Sequence, residues 1–169
     1  MPMLKQKTAV GRTRRSIART SAPAGRRSRF AAAYEIDPIS RVVAIRRGVS
    51  SVERARTSRA LGLPKERIDR MLHLPVSTTK RKLAQQARFP PEQSERILGL
   101  QRLIGQVETM VAESGSHAQS FDARASIAQW PDQTSPALGN KTPGEFLDII
   151  AGQEIVANLL AQMQSGSYA

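Results

Sequence analysis

The stretch PEQSERILGLQRLIGQVETMVA, beginning at Pro91, narrows the possible folds more than any other part of the chain. In it Ile97, Leu100, Leu103, Ile104, Val107, Met110 and Val111 recur at spacings of three and four. Successive helical residues turn by about 100°, so this spacing gathers the apolar side chains into one stripe and predicts a long amphipathic α-helix. Pro90 and Pro91 break the chain before it. A stripe of that length has to be covered by other elements. No β-branched alternating run exists to supply strands, so the expected fold class is all-α.

The covering elements announce themselves through caps. Asp37 followed by Pro38 reads as an N-cap with proline at the first helical position, and Gly48 reads as the stop. Between them Ile39, Val42, Val43 and Ile45 form a short apolar face. Ser50 or Ser51 can cap a second helix that carries Val52, Ala55 and Leu61 and ends at Gly62. A third begins at Pro64 with Ile68, Met71 and Leu72 inward, and a fourth runs from Pro75 to about Gln86 around Leu83.

Beyond the long helix, Glu113 to Ser120 reads as a loop. A short helix over Ala123–Gln129 follows, then the turn-rich WPDQTSPALGNK, in which Trp130 is expected to be a core residue. Thr142-Pro143-Gly144-Glu145 has the form of a capping box, with the Thr hydroxyl and the Glu carboxylate satisfying each other's backbone donors. The helix it opens is expected to stop near Gly152. A last helix carries Ile155, Val156, Leu159, Leu160 and Met163 on one face and ends at Gly166. Residues 1–33 contain no acid and no apolar period, which predicts disorder. The expected organisation is a disordered basic tail over 1–35, one helical domain over 36–114, and a small helical domain over 120–169.

Charge divides the chain in the same places. Residues 1–47 hold 12 Lys and Arg against 2 acids, residues 48–112 hold 12 against 6, and residues 113–169 hold 2 against 6, which gives +10, +6 and −4 and sums to the formal +12. The gradient suggests a polyanion, most often nucleic acid, for the front two thirds and a different partner for the last third. For the first 33 residues a transit peptide, a phosphate-gripping arm and a tail with no specific role all remain open.

Several function classes are excluded or disfavoured. The chain has no cysteine, so it has no disulfide, thiolate metal site or Cys nucleophile, and it fits a reducing cytosol. His73 and His117 lie far apart without paired carboxylates, so no metal is expected. There is no phosphate-binding glycine loop and no plausible triad, so neither an enzyme nor a cofactor is expected. No apolar run approaches the length of a membrane span, roughly 20 residues.

Residues 64–86 suggest a helix-turn-helix. Two short helices flank HLP, and the second bears Ser77, Thr78, Thr79, Lys80, Arg81 and Lys82. In such a motif the first turns of the second helix enter the major groove, where Arg and Lys reach guanine edges and Ser and Thr bond bases or phosphates. Lys80, Arg81 and Lys82 cannot all face one way, so at most one or two would read bases. The competing reading is an ordinary helical hairpin with a cationic solvent face. His73 is expected to be a turn residue.

The order of these pieces resembles the Xre/MbcA/ParS antitoxin family. Arg47-Gly48-Val49, Leu61-Gly62-Leu63, Thr78 with Arg81-Lys82, and Pro91-Glu92-Gln93-Ser94 match its Xre-like helix-turn-helix region. Trp130, Ala137-Leu138-Gly139, Thr142-Pro143, Leu147-Asp148, Gly152, Val156 and Gly166-Ser167-Tyr168-Ala169 match its toxin-binding domain. Pro131, Asn140, Pro75 and Ser77 depart from the usual pattern. The resemblance implies an antitoxin of a type II toxin–antitoxin system. Its implied partners are a RES-domain toxin that destroys NAD⁺, operator DNA through which it represses its own operon, and a second copy of itself. It also implies that the C-terminal domain covers the toxin's active site.

The tail then acquires a reading. The segment from Thr142 onward holds three acids and no base, and an enzyme that binds an anionic dinucleotide usually presents a basic pocket mouth. The expected toxin-facing residues are Gln153, Val156, Leu160 and Met163 on the last helix, with Gly166, Ser167, Tyr168 and Ala169 projecting toward the pocket. The carboxylate of Ala169 could stand in for a substrate phosphate. Tyr168 is either an aromatic anchor or a stacked terminal side chain. A reading from a different class is a stand-alone transcription regulator whose C-terminal domain binds another protein or only dimerises.

Overall fold

The computed structural model describes residues 28–75, 85, 87–113 and 128–165. Among these residues the fold is all-α. Its extended pairing consists of two isolated bridges, Ser50 with Arg88 and Ser135 with Lys141. The helices are α1 (Arg29–Glu35), α2 (Pro38–Arg47), α3 (Ser51–Leu61), α4 (Lys65–Met71), α5 (Pro91–Glu113) and α6 (Ile150–Gln164). Three short 3-10 turns, Trp130–Asp132, Pro136–Leu138 and Pro143–Phe146, lie between α5 and α6.

The long helix is the axis of the molecule. Ile97, Leu100, Leu103 and Ile104 of α5 are buried, and Val107 and Met110 continue the stripe at partial exposure. One apolar cluster forms around them. It takes Leu61, Leu63, Ile68, Leu72 and Leu74 from the α3–α4 region, Phe89 from the approach to α5, and Leu147, Val156 and Leu160 from the C-terminal segment. The described parts of the two expected domains therefore share a single core.

Three features of the fold go beyond the sequence pattern or depart from it. Residues 1–35 do not form one irregular tail, because Arg29–Glu35 is helical. Ser28 caps it by accepting from Phe30 N–H, and Phe30 is 4% exposed. Gly105 of α5 makes room for this docking, since a Cβ there would overlap the Phe30 carbonyl oxygen. A single aromatic in a basic run carries no period, which is why the sequence pattern misses it. Second, α2 does not turn its apolar face inward. Asp37 caps it as expected, accepting from Ser40 N–H at 3.0 Å, but Ile39, Val42 and Val43 are exposed. Third, Gly152 does not stop a helix. It lies in the first turn of α6, where a Cβ would overlap the Phe146 carbonyl oxygen. Small size, and not helix breaking, is what this position requires.

Among the described residues no helix is long and apolar enough to cross a membrane.

Candidate functional site

Ser77 through Lys82 fall outside the described residues, but the scaffold that holds both ends of their segment is visible. Ser50 caps α3 by accepting from Glu53 N–H at 3.1 Å. Gly62, at φ 65°, ends that helix in a Schellman turn, in which Leu63 N–H reaches Ser58 O at 3.1 Å and Gly62 N–H reaches Arg59 O at 3.2 Å. The end of α4 repeats this geometry with a non-glycine residue. His73 has φ 48°, Leu74 N–H donates to Asp69 O at 2.7 Å, and His73 N–H donates to Arg70 O at 3.0 Å. His73 is thus the turn residue expected from the sequence.

Side chains then pin the turn and the return. The Arg96 guanidinium on α5 donates to the carbonyls of Leu72 and His73, both at 3.3 Å. On the far side of the segment, Ser51 N–H donates to Ala87 O at 3.0 Å and Phe89 N–H to Val49 O at 2.8 Å. The buried Ser94 hydroxyl accepts from Val49 N–H at 2.8 Å and donates to Phe89 O at 3.0 Å. The chain therefore leaves α4 and returns to α5 at fixed points on one rigid frame. Arg56, Arg59 and Arg70 are exposed on α3 and α4.

Between α3 and α4 lies a pair that spacing alone did not reveal. Arg54 Nη1 sits 3.2 Å from Asp69 Oδ1, with side-chain exposures of 2% and 5%. Burial pushes the Asp69 carboxyl above its ordinary value and the Arg54 guanidinium below its own, and each partner's charge opposes the shift. Arg54 Nε and the Ser51 hydroxyl have no hydrogen-bond partner among the described residues. A buried pair of this kind adds little net stability but is strongly destabilising to break, because the surviving charge stays dry and uncompensated. It fixes how α4 sits on α3, and α4 leads directly into the segment after His73.

The C-terminal segment is assembled differently. Thr142 and Glu145 make the expected capping box, with Thr142 N–H donating to Glu145 Oε1 at 2.9 Å and the Thr142 hydroxyl donating to the same oxygen at 3.1 Å. These bonds hold the Glu145 carboxyl below its ordinary value. The turn they open is 3-10, and it drives Leu147 fully into the core. Trp130 is half-buried and packs against the same cluster, lining a small apolar pocket with Leu61, Leu63 and Met71.

The residues expected to face a toxin divide into three groups. Gln153, Val156 and Leu160 point into the molecule. Gln153 Nε2 donates to Leu147 O at 2.7 Å and Arg96 O at 3.1 Å, while Val156 and Leu160 belong to the core cluster. These three hold α6 against α5 and offer no surface to a partner. Met163 is 51% exposed, and Ile149 and Ile155 accompany it at 56% and 48%. Gly166 to Ala169 lie outside the described residues. Of the five apolar residues expected on one face of α6, Val156, Leu159 and Leu160 are buried whereas Ile155 and Met163 are exposed, because period alone does not say which of two adjacent apolar rows is buried.

Comparisons with known proteins agree with this architecture. A family model described as the antitoxin Xre-like helix-turn-helix domain matches residues 40–102, which run from α2 into α5. The chain is also 38% identical over 140 residues to the "Prs ADP-ribosylating antitoxin" of Sphingobium sp. (strain YBL2), covering 83% of this chain and 87% of that protein. That alignment is longer than the helix-turn-helix match and extends beyond it. With these matches and a C-terminal helix packed on the same core as α3 and α4, the chain belongs to the Xre-like helix-turn-helix family and is an antitoxin of a toxin–antitoxin system.

Proposed function

We propose that the chain neutralises a RES-domain toxin that consumes NAD⁺, by laying α6 and the following residues over the toxin's active-site entrance. The observation that carries this reading is the exposed apolar set Ile149, Ile155 and Met163 on a segment of net charge −4. Water-facing apolar groups of this size gain by being covered. The flanking acids suit an enzyme mouth built to receive an anionic dinucleotide. Gly166 to Ala169 follow α6 directly and would enter that mouth, with Tyr168 as anchor. The name of the Sphingobium relative joins antitoxin with ADP-ribosylation of Prs. ADP-ribosylation takes NAD⁺ as donor and is the same class of chemistry.

The second half of the proposal is autorepression. Ser77, Thr78 and Thr79, with Lys80, Arg81 and Lys82, contact operator DNA from the frame of α3, α4 and α5. Two copies bind together through the exposed apolar face of α2, where Ile39 is 75% exposed and Val43 59%. An antiparallel pairing sets the acidic start of one α2, at Asp37, against Arg46 and Arg47 of the other. The alignment to the Sphingobium antitoxin continues past the DNA-binding region, which favours this reading over a stand-alone regulator.

Co-purification with the co-encoded neighbouring protein, followed by assays of NAD⁺ loss and ADP-ribose transfer, tests the proposal. Expected are a stable complex and suppressed NAD⁺ consumption. Deletion of Ser167–Ala169 is expected to restore NAD⁺ consumption at antitoxin levels that silence it with the full chain. Unchanged inhibition after the deletion removes the role of the tail, and absence of any complex removes the toxin reading.

A further inference from the structure

Two stretches that are far apart in sequence meet at the turn that ends α2. Gly48 N–H donates to Ala44 O and Ile45 O, at 3.1 and 3.0 Å, and closes the helix at φ 81°. The chain that leads back into α5 lies directly on this turn. Ser50 bridges Arg88, and a Cβ on Gly48 would lie 2.6 Å from the Phe89 carbonyl oxygen and 3.3 Å from Arg88 Cβ. Arg88 Nη1 donates to Gly48 O at 2.6 Å. That bond sets a guanidinium at the carbonyl end of α2, where the helix dipole alone would leave negative charge.

The two stretches share one sign of charge. Residues 38–52 and 76–91 hold seven Lys and Arg and no acid. Glu53, the first acid after α2, is engaged by Arg29 and Arg56. On α3 and α4, by contrast, Glu53, Glu66 and Asp69 are interspersed among the cations. A surface of one sign repels itself, and a polyanion is what relieves the repulsion. Arg47 and Arg88 are both exposed and stand on either side of Gly48. Arg46 continues the row of Ile39, Val42 and Val43 and suits the contact between copies, whereas Arg47 is turned about 100° from it.

We infer that Arg47 and Arg88 form a clamp for the DNA phosphate backbone, apart from the residues that read bases. This rests on the reading that residues 77–82 meet DNA. Guanidinium groups pair well with phosphate oxygens, and such contacts fix how a duplex lies against a protein without reading its sequence. The two halves of the clamp are held in register by main chain, since Gly48 touches residues 88 and 89 directly. Five residues separate Lys82 from Arg88, so the clamp and the basic segment address one duplex.

The test measures the affinity of the full chain for a duplex from upstream of its own reading frame, and for a scrambled duplex, across a salt series. Wild type is compared with Arg47→Gln, Arg88→Gln, Arg88→Lys and the double Gln variant. Lys141→Gln, which removes an exposed cation from the C-terminal segment, controls for net charge alone. Each single Gln variant at the turn is expected to flatten the log–log slope by about 0.9 per bound protomer, and the double variant by about 1.8. The loss should be equal on the two duplexes. Arg88→Lys should keep the wild-type slope, which separates charge at this place from the bond to Gly48 O. Arg47 is exposed at a helix end, so Arg47→Gln keeps the measurement meaningful if Arg88→Gln disturbs the turn. Unchanged slopes in both single Gln variants, where Lys80→Gln still flattens the slope, overturn the inference and leave the DNA reading standing. Equal flattening by Lys141→Gln overturns it as well, as does weaker binding that tracks lost self-association at an unchanged slope. A wild type that binds neither duplex overturns the inference together with the DNA reading beneath it.

Discussion

The two sides of α5 are held together by different chemistry. On the side that carries the basic segment, polar groups are buried, and several of them meet one another across elements. Gln101 Nε2 donates to Thr57 Oγ1 at 2.8 Å, Ser94 bridges Val49 and Phe89, and Arg54 faces Asp69. On the C-terminal side the contacts are mainly apolar, from Leu147, Val156 and Leu160, with Gln153 and the Gln106 bond to Ala157 O as polar exceptions. Apolar contact supplies stability with few angular demands, whereas a buried polar contact tolerates only a narrow geometry. The side proposed to meet DNA is therefore the side whose orientation is most tightly specified. The side proposed to meet a protein partner can rely on burial.

The most damaging way to break this contrast is to remove one member of the buried pair. Asp69→Asn or Arg54→Met alone is expected to cost on the order of 3–5 kcal/mol, read by urea denaturation. Replacing both with apolar residues, as in Arg54→Met with Asp69→Leu, is expected to recover most of that stability. DNA affinity is expected to recover less fully if the pair serves orientation. Equal recovery of both would show the pair to be simple filling.

Much of this was legible from residue order, and the gaps have physical causes. The stripe of α5, the Asp37 cap, the Gly62 stop and the Thr142–Glu145 box are local signals, each built from residues a few positions apart in the chain. Arg54 and Asp69 lie fifteen positions apart on separate helices, and nothing in spacing pairs them. The exposed face of α2 has the same period as a buried one. Gly99 and Gly105, mid-helix in α5, carried an available clue. Glycine costs about 1 kcal/mol there relative to alanine, so close approach by another element is a better reading than chance. Gln153 and Phe30 fill the space above them.

Ionic strength sharpens the contrast with a smaller effect. If Lys80, Arg81 and Lys82 each neutralise a phosphate, raising salt from 50 to 200 mM should weaken DNA binding roughly 40-fold, with a log–log slope of about −3. Toxin binding through Ile149, Ile155 and Met163 should change much less. A titration series for each ligand checks both, and a flat DNA response would remove the phosphate assignment.

Acid gives the smallest effect and falls on the C-terminal side. Glu145 has a folded-state pKa below its ordinary value because it accepts from Thr142. It therefore stabilises the fold at neutral pH, and the contribution is lost as pH falls through the folded value. Asp69 runs the other way. Its raised value means that its ionised form is disfavoured by burial, a penalty that acts above the ordinary carboxylate range and is relieved in acid. Thermal unfolding of Glu145→Gln should show a shallower loss between neutral and acid pH than the wild type. An identical pH profile would show that the capping box contributes nothing.

Because Trp130, Leu147, Val156 and Leu160 pack on α5, tests of the toxin surface belong in the full chain and not in an excised C-terminal fragment. The most direct is an NAD⁺ consumption assay of the co-encoded toxin, titrated with full-length Ile155→Arg combined with Met163→Arg, both at exposed positions on α6. The expected result is a loss of neutralisation of at least about tenfold, with DNA affinity and folding stability unchanged. Neutralisation equal to that of the wild type would contradict the assignment of this surface to the toxin.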